Sequence, residues 1–258
     1  MIPWEQLGRA KVPGGELVLG RRGEEYAIRL RGAELMNSRS HQSEELLGSL
    51  GCSGLPRGAR VLIGGLGMGF TARAALDVLP PDARVTIAEL VPEVVEWNRG
   101  PLAHLARRPL DDPRVTVEIG DVAARIAAGG YHAIVLDVDN GPDAFTAPAN
   151  ARLYGLVGLL RARRALVAGG RLGVWSVEHD RGFTGRLKAC GFDPEVHRVP
   201  PRPNSGTKHV VWIAHARPPA PKVERDGLGP AREIEHGPPR ARRPAPAKRP
   251  APAKRRPR

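Results

Sequence analysis

Between Asp137 and Asp143, three carboxylates and one carboxamide fall within seven positions, in the stretch VLDVDNGPDA. Acids grouped in this way can hold a cation and can also accept a proton from it, which is the work of a general base. The same residues, with Gly141-Pro142 among them, equally suit a turn whose polar side chains satisfy local backbone donors. The apolar residues of YHAIVLD, directly upstream, read as a buried strand, and this places Asp137 at a strand's carboxyl end.

Two other strand ends carry residues of the same kind. GGLGMG follows the strand RVLIGG and precedes the helical FTARAALDVL, so Gly65, Gly67 and Gly69 permit a tight turn and a close ligand approach. The strand RVTIAEL carries Glu89, twenty residues after Gly69, where an acid can accept from both hydroxyls of a ribose. A third strand, RVTVEIGD, ends in Gly120-Asp121, where the carboxylate is suited to an exocyclic adenine amine. Each acid alone also fits an ordinary exposed strand end. Together they outline a nucleoside site.

These residues need a scaffold that brings successive strand ends to one edge. From Arg60 onward, short apolar strands alternate with helical segments: PEVVEWN opens on Pro92, VAARIAA follows Asp121, and ARLYGLVGLLRARRALVAGG reads as one long helix ended by Gly169-Gly170. RLGVWSVEH, GFTGRLKACG, PEVHRV and KHVVWIAHA complete the series. This alternation predicts an α/β fold: a doubly wound, Rossmann-like, seven-stranded and mostly parallel sheet, with ligands at the strands' carboxyl ends. Residues 14–38 read instead as β-hairpins around Arg21-Arg22-Gly23 and Arg31-Gly32. SEELLGSL then reads as a short helix with Ser43 as its N-cap. The expected organisation is an N-terminal β-rich subdomain over 1–50, the Rossmann-like domain over 51–216, and a tail over 217–258.

Composition separates the tail from the rest. Thirteen Lys/Arg against four Asp/Glu from Arg217 onward supply +9 of the formal net charge of +13. The tail is rich in Pro and repeats PAPAKR in tandem at 244–249 and 250–255, a composition that cannot bury enough apolar surface to order itself. It is expected to be disordered. Its charge suits sequence-independent, salt-sensitive contact with nucleic-acid phosphates, or simply a soluble extension. No apolar run approaches the ~18 residues of a membrane span. The N-terminus lacks the basic start and apolar stretch of a secretory signal, and Cys52 and Cys190 are isolated. A cytoplasmic protein with reduced cysteines, no structural metal and no membrane association is expected.

Residues 60–215 resemble the class I S-adenosylmethionine-binding fold and, more narrowly, the spermidine synthase (polyamine aminopropyltransferase) family. The resemblance is carried by RVLIGGLGMG, TIAELVPEVVEWNR, DDPRVTVEIGDV and YHAIVLDVDNGPDAFT, followed by RLY and ALVAGGRL, in the family's order and spacing. It implies S-adenosylmethionine or its decarboxylated form as co-substrate, with Gly65, Gly67 and Gly69 lining its loop, Glu89 on the ribose, and Gly120 and Asp121 at the adenine. It further implies a small-molecule amine as the second substrate and a homodimer. The chemistry is alkyl transfer from a sulfonium, in which the protein chiefly aligns donor and acceptor. An alkyl amine, protonated near neutral pH, must also lose a proton to a carboxylate.

Asp137 matches the family's first loop acid. The second, its proposed base, falls at Asn140, which leaves Asp139 as the alternative. At Gly67 the family has an Asp that contacts the amine of decarboxylated S-adenosylmethionine. Upstream, Glu45 matches the Glu of a Tyr-His-Glu motif, whereas Ser43 and Glu44 replace the Tyr and His. His41, Gln42, Glu45, Asn140 and Tyr154 are the expected acceptor-facing residues, and Asp137 and Asp139 the catalytic ones. Glu178-His179-Asp180 reaches the same edge as a further stretch of wall. The expected activity is spermidine synthase-like aminopropyl transfer. Its alternatives are a methyltransferase acting on a small molecule or nucleic acid, and a non-catalytic scaffold tethered by its tail.

Overall fold

The structure is a computed structural model that describes residues 2–138, 152–202, 206 and 208–218. The basic tail beyond Pro218, and with it the expectation of disorder, lies outside the described residues. So do Asp139 and Asn140.

The chain opens with a four-stranded antiparallel meander, β1 (Glu5–Val12), β2 (Gly15–Arg22), β3 (Glu25–Leu30) and β4 (Ala33–Asn37), paired in chain order. The turns at Arg22-Gly23 and Arg31-Gly32 fall where the sequence placed them, but β1 precedes the expected β-rich region. Its register slips at Leu7, and of its eight residues only Ala10 is buried, so it carries little of the apolar alternation by which a strand is recognised.

Helix α1 (Gln42–Cys52) leads to the large sheet, whose strands are β5 (Arg60–Gly64), β6 (Arg84–Glu89), β7 (Val115–Ile119), β8 (Tyr131–Leu136), β9 (Leu166–Ser176), β10 (Phe192–Val199) and β11 (His209–Ala216). Their spatial order is β10-β11-β9-β8-β5-β6-β7. The central pairs are parallel, while β11 runs antiparallel to both β9 and β10. The sheet is therefore mostly parallel, as expected. Chain order reverses between β5 and β8, and a ligand of such a sheet binds at the carboxyl ends flanking that reversal.

Strand residues alternate between two cores. Val61, Ile63, Ala133 and Val135 pack on the face covered by α1, α2 (Phe70–Val78) and α3 (Pro92–Arg99). Leu62, Ile134, Leu136 and Val174 pack on the face with α4 (Val122–Ile126), α5 (Leu156–Ala165) and α6 (Arg181–Ala189). Burial on both faces accounts for the near-continuous apolar runs in these strands. Among the described residues no helix is long and apolar enough to cross a membrane.

Two local expectations are corrected. The long helix predicted through Gly169-Gly170 stops at Ala165, and LVAGG opens β9, with Leu166 paired to Tyr131 across the sheet. A short apolar run suits either element by periodicity, and here pairing with β8 decides. Nor does Ser43 cap α1. The helix begins at Gln42 with His41 at the cap position and no capping side chain, and Ser43 lies inside, fully buried.

Candidate active site

A cavity of about 1180 Å³ opens at the carboxyl ends of β5, β6, β7 and β8 and is roofed by β4 of the small sheet. Gly65, Gly67, Glu89, Gly120, Asp121 and Asp137 all line it; Gly69, expected with them, does not, because it faces Asn98 and Pro109 instead. Parallel pairing explains the convergence. Gly64 is level with Ala88 on β6 and with Leu136 on β8, so the next residues of all three strands emerge side by side.

The glycine loop turns through left-handed backbone at Gly65 (φ 86°), Gly67 (φ 53°) and Gly69 (φ 86°). It is pinned from below by Asn98 of α3, almost wholly buried, whose amide nitrogen donates to the Gly67 carbonyl (2.8 Å) and the Val94 carbonyl (2.9 Å). Glu89, 8% exposed, braces the loop as well as facing the cavity: its oxygens accept from the Leu66 N–H (2.8 Å) and the Val91 N–H (2.9 Å). Asp121 is exposed and caps α4 by accepting from the Ala123 N–H at 2.8 Å.

The acidic end of the cavity is built from three elements. Asp137, just past β8, accepts a 2.6 Å hydrogen bond from the Thr71 hydroxyl at the start of α2. Thr71 Oγ1 also lies 3.2 Å from the Glu44 carbonyl oxygen on α1. This closeness depends on Gly48, one helical turn after Glu44, since a Cβ there would stand 2.3 Å from the Thr71 carbonyl. Glu44 thus joins Asp137 in lining the cavity. Burial pushes the Asp137 carboxyl up to about 6 against the lowering effect of Thr71. Burial and then the Asp137 charge push Glu44 up to about 7.

Both carboxyls therefore bind protons more tightly folded than unfolded, where their ordinary values are 3.8 and 4.5. The stability they contribute is complete below those values and is lost as pH rises through about 6 and about 7. The ligand-free protein is accordingly expected to melt at lower temperature as pH rises from about 4 to about 7, and an Asp137→Asn/Glu44→Gln double variant should show a shallower fall. His209, lowered by burial, acts in the opposite sense below its ordinary 6.5 but is common to both proteins. Equal slopes in calorimetric melts of the two would exclude the pair as the source.

The expected acceptor-facing residues are placed differently. His41, Gln42, Glu45 and Tyr154 are absent from the described wall of the cavity. Gln42 and Glu45 line a separate recess on the other side of α1, with Phe70 and Arg73. His41 stacks on Phe70 at 4.0 Å, its Nδ1 3.0 Å from Glu45 Oε1 but without hydrogen-bond geometry. Tyr154 is buried edge-on against Phe183 and donates to the Val138 carbonyl at 3.3 Å. Of the 178–180 triplet, His179 stacks on Trp212 and Asp180 pairs with Arg186, and none joins the wall.

Conversely, Glu44, Thr71, Trp175 and His209 line the cavity without having been singled out. Glu44 owes its place to the phase of α1, which the helix's own residues do not fix. With α1 starting at Gln42, Ser43 and Leu47 face the core and Glu44 shares the stripe of Gly48, while Gln42 and Glu45 point away.

A glycine-turned β–α loop and strand-end acids stand at the reversal of a seven-stranded α/β sheet capped by an antiparallel β-meander. The chain has the spermidine synthase fold, in the class that S-adenosylmethionine-dependent methyltransferases share. It superimposes on the spermidine synthase of Thermotoga maritima with a TM-score of 0.66 at 18% identity, covering 82% of this chain and 72% of that one. A spermidine synthase in complex with the transition state analogue AdoDATO matches with a TM-score of 0.65 at 17% identity and the same coverage. In sequence, the chain is 36% identical over 170 residues to the polyamine aminopropyltransferase of Corynebacterium efficiens, covering 62% of this chain and 31% of that protein. It is 33% identical over 161 residues to the polyamine aminopropyltransferase of Mycobacterium tuberculosis, covering 60% of this chain and 29% of that protein. The chain thus spans less than a third of the length of these relatives. No family model matches it.

Proposed function

We propose that the protein transfers an aminopropyl group from a decarboxylated S-adenosylmethionine-type sulfonium to an amine. The observation that carries this reading is the pair of half-buried carboxyls, Asp137 and Glu44, both held above their ordinary range by loss of hydration, on the wall of the cavity that the glycine loop and Glu89 also line. Buried acids without a fixed cationic partner pay for their desolvation through raised proton affinity. A ligand ammonium would remove that penalty on entry, so the site is built for a cation. The named relatives and structural neighbours point to the same reaction.

In this reading Gly65 and Gly67 let the backbone approach the nucleoside while Gly69 completes the turn, Glu89 accepts from the ribose hydroxyls, and Gly120-Asp121 border the adenine. The carboxylate pair draws the acceptor ammonium beside the sulfonium and takes a proton from it. Proximity and alignment then do most of the work, because a thioether leaves readily.

Methyl transfer from intact S-adenosylmethionine is the second reading, favoured by Gly67. Its Cβ direction points at the Met36 sulfur, 3.2 Å away, and no acid at that position meets a donor's amine. Calorimetric titration with the two donors side by side distinguishes the readings. The decarboxylated form is expected to bind at least about tenfold more tightly, equivalent to about 1.4 kcal/mol. A tenfold preference for the intact form would overturn aminopropyl transfer in favour of methyl transfer. Binding of neither would leave a non-catalytic scaffold.

A further inference from the structure

Ser43 sits at the centre of an unusual buried arrangement. Its Oγ lies 3.0 Å from Trp175 Nε1, 2.5 Å from Glu44 Oε2 and 2.9 Å from His209 Nδ1. Trp175 can only donate, so it occupies one lone pair of the hydroxyl. One proton and one lone pair remain to serve Glu44 and His209, and they must do so in opposite senses. Either Ser43 donates to an ionised Glu44 and accepts from a protonated Nδ1, or it accepts from a protonated Glu44 and donates to a bare Nδ1. The two arrangements differ by one proton moved between Glu44 and His209, with no heavy atom displaced.

The position of this relay is informative. Glu44 and His209 both line the large cavity, and the ring of His209 is held edge-on against Trp175 at 4.8 Å. The ionisable groups around Glu44 are Asp137 after β8, Glu45 on its own helix and His209 on β11, while Arg39 and Arg202 also line the cavity. The hydrophobic setting of the relay keeps competing water away from Ser43, whose side chain is fully buried.

We propose that Glu44 is the group that takes the proton from the acceptor amine, and that Ser43 passes it on to His209. This rests on the reading of the cavity as an alkyl-transfer site for amines. The ammonium gives one proton to the Glu44 carboxylate, which frees the nitrogen lone pair. That pair forms the new C–N bond as the C–S bond breaks, and the C–S electrons return to sulfur as a neutral thioether. The Glu44 proton moves to Ser43 Oγ while the original Ser43 proton moves to His209 Nδ1, leaving Glu44 ionised and His209 as imidazolium. His209, only half-buried, returns a proton to water. Glu44 is raised to about 7 and His209 lowered from 6.5, so neither end holds the proton irreversibly.

The test combines binding and rate measurements on the full chain. 1,4-Diaminobutane is titrated by calorimetry near pH 7 in two buffers of different ionisation enthalpy, into wild type, Glu44→Gln and Glu44→Asp. Wild type is expected to release protons on binding, Glu44→Gln fewer, and Glu44→Asp to restore part of the difference. In turnover assays Glu44→Gln should lower kcat by about 10²- to 10⁴-fold, with an unchanged KM for the sulfonium donor and a deficit that shrinks at alkaline pH, where the amine is already neutral. Ser43→Ala should keep the acid limb of the pH profile and lower kcat by roughly tenfold, less than loss of the base itself. Equal proton release and equal pH profiles in wild type and Glu44→Gln would overturn the assignment while leaving the amine-transfer reading intact. Failure of wild type to bind the diamine would instead sink that reading, and the relay with it.

Discussion

Asp137→Asn is expected to lower turnover by about 10³-fold, because the Asp137 charge holds the acceptor ammonium against Glu44, a loss comparable to that of an acid–base group itself. The substitution keeps size and shape, and the amide oxygen can still accept from Thr71 Oγ1, now 2.6 Å from Asp137 Oδ2. The backbone is held independently, by the Asp137 N–H donating to the Gly64 carbonyl at 2.9 Å. The variant should therefore fold normally. Because loss of hydration pushes the wild-type carboxyl up to about 6, removing its charge should leave stability at neutral pH unchanged or raised. Turnover measured with the decarboxylated donor and a diamine, alongside a thermal melt, checks both halves. Normal turnover in a folded Asp137→Asn variant would remove this carboxylate from the chemistry.

Gly65→Ala is expected to be the most damaging single methyl addition in the cofactor loop. The residue has φ 86°, and a Cβ there would stand 2.2 Å from the Asp137 carbonyl oxygen. Left-handed backbone costs a non-glycine residue about 1–2 kcal/mol. Overpacking adds about 1–3 kcal/mol, here with backbone on the receiving side, which cannot swing aside. A melting temperature lowered by on the order of 10 °C follows for a domain of this size. Relief of the clash would also push Asp137 away from Thr71, so donor affinity and turnover should fall together. Gly67→Ala is the matched comparison: its Cβ would meet only the Met36 sulfur, at 3.2 Å, and a flexible thioether can move. Equal melting temperatures for the two variants would show that the contact with Asp137 is not what restricts Gly65.

The strand-end part of the cavity was legible in the sequence because it is local. Gly65, Gly120 and Asp137 each follow a short apolar strand and Glu89 ends one, and parallel strands of similar length carry these residues to one edge. Strand pattern and position therefore suffice to group them. The part of the wall around Glu44 depends on which way α1 is rotated against α2. A shift of one residue turns a helix by about 100°, enough to exchange Glu44 for Glu45 at the cavity wall.

That rotation is not written in the residues of α1 alone, where Glu44 and Glu45 have equal claims as exposed first-turn acids. It is set by contacts made elsewhere: Gly48 against the Thr71 backbone, and Ser43 against Trp175 on β9 and His209 on β11. These partners are 23 to 166 residues away in the chain, beyond the reach of any local pattern. The order of strands, the glycine turn and the strand-end acids follow from hydrophobic periodicity and backbone sterics, which act between neighbours. Pairing Glu44 with Asp137, and linking it through Ser43 to His209, required the packed helices and the closed sheet, because only their close contact removes the water that would otherwise hold these groups apart.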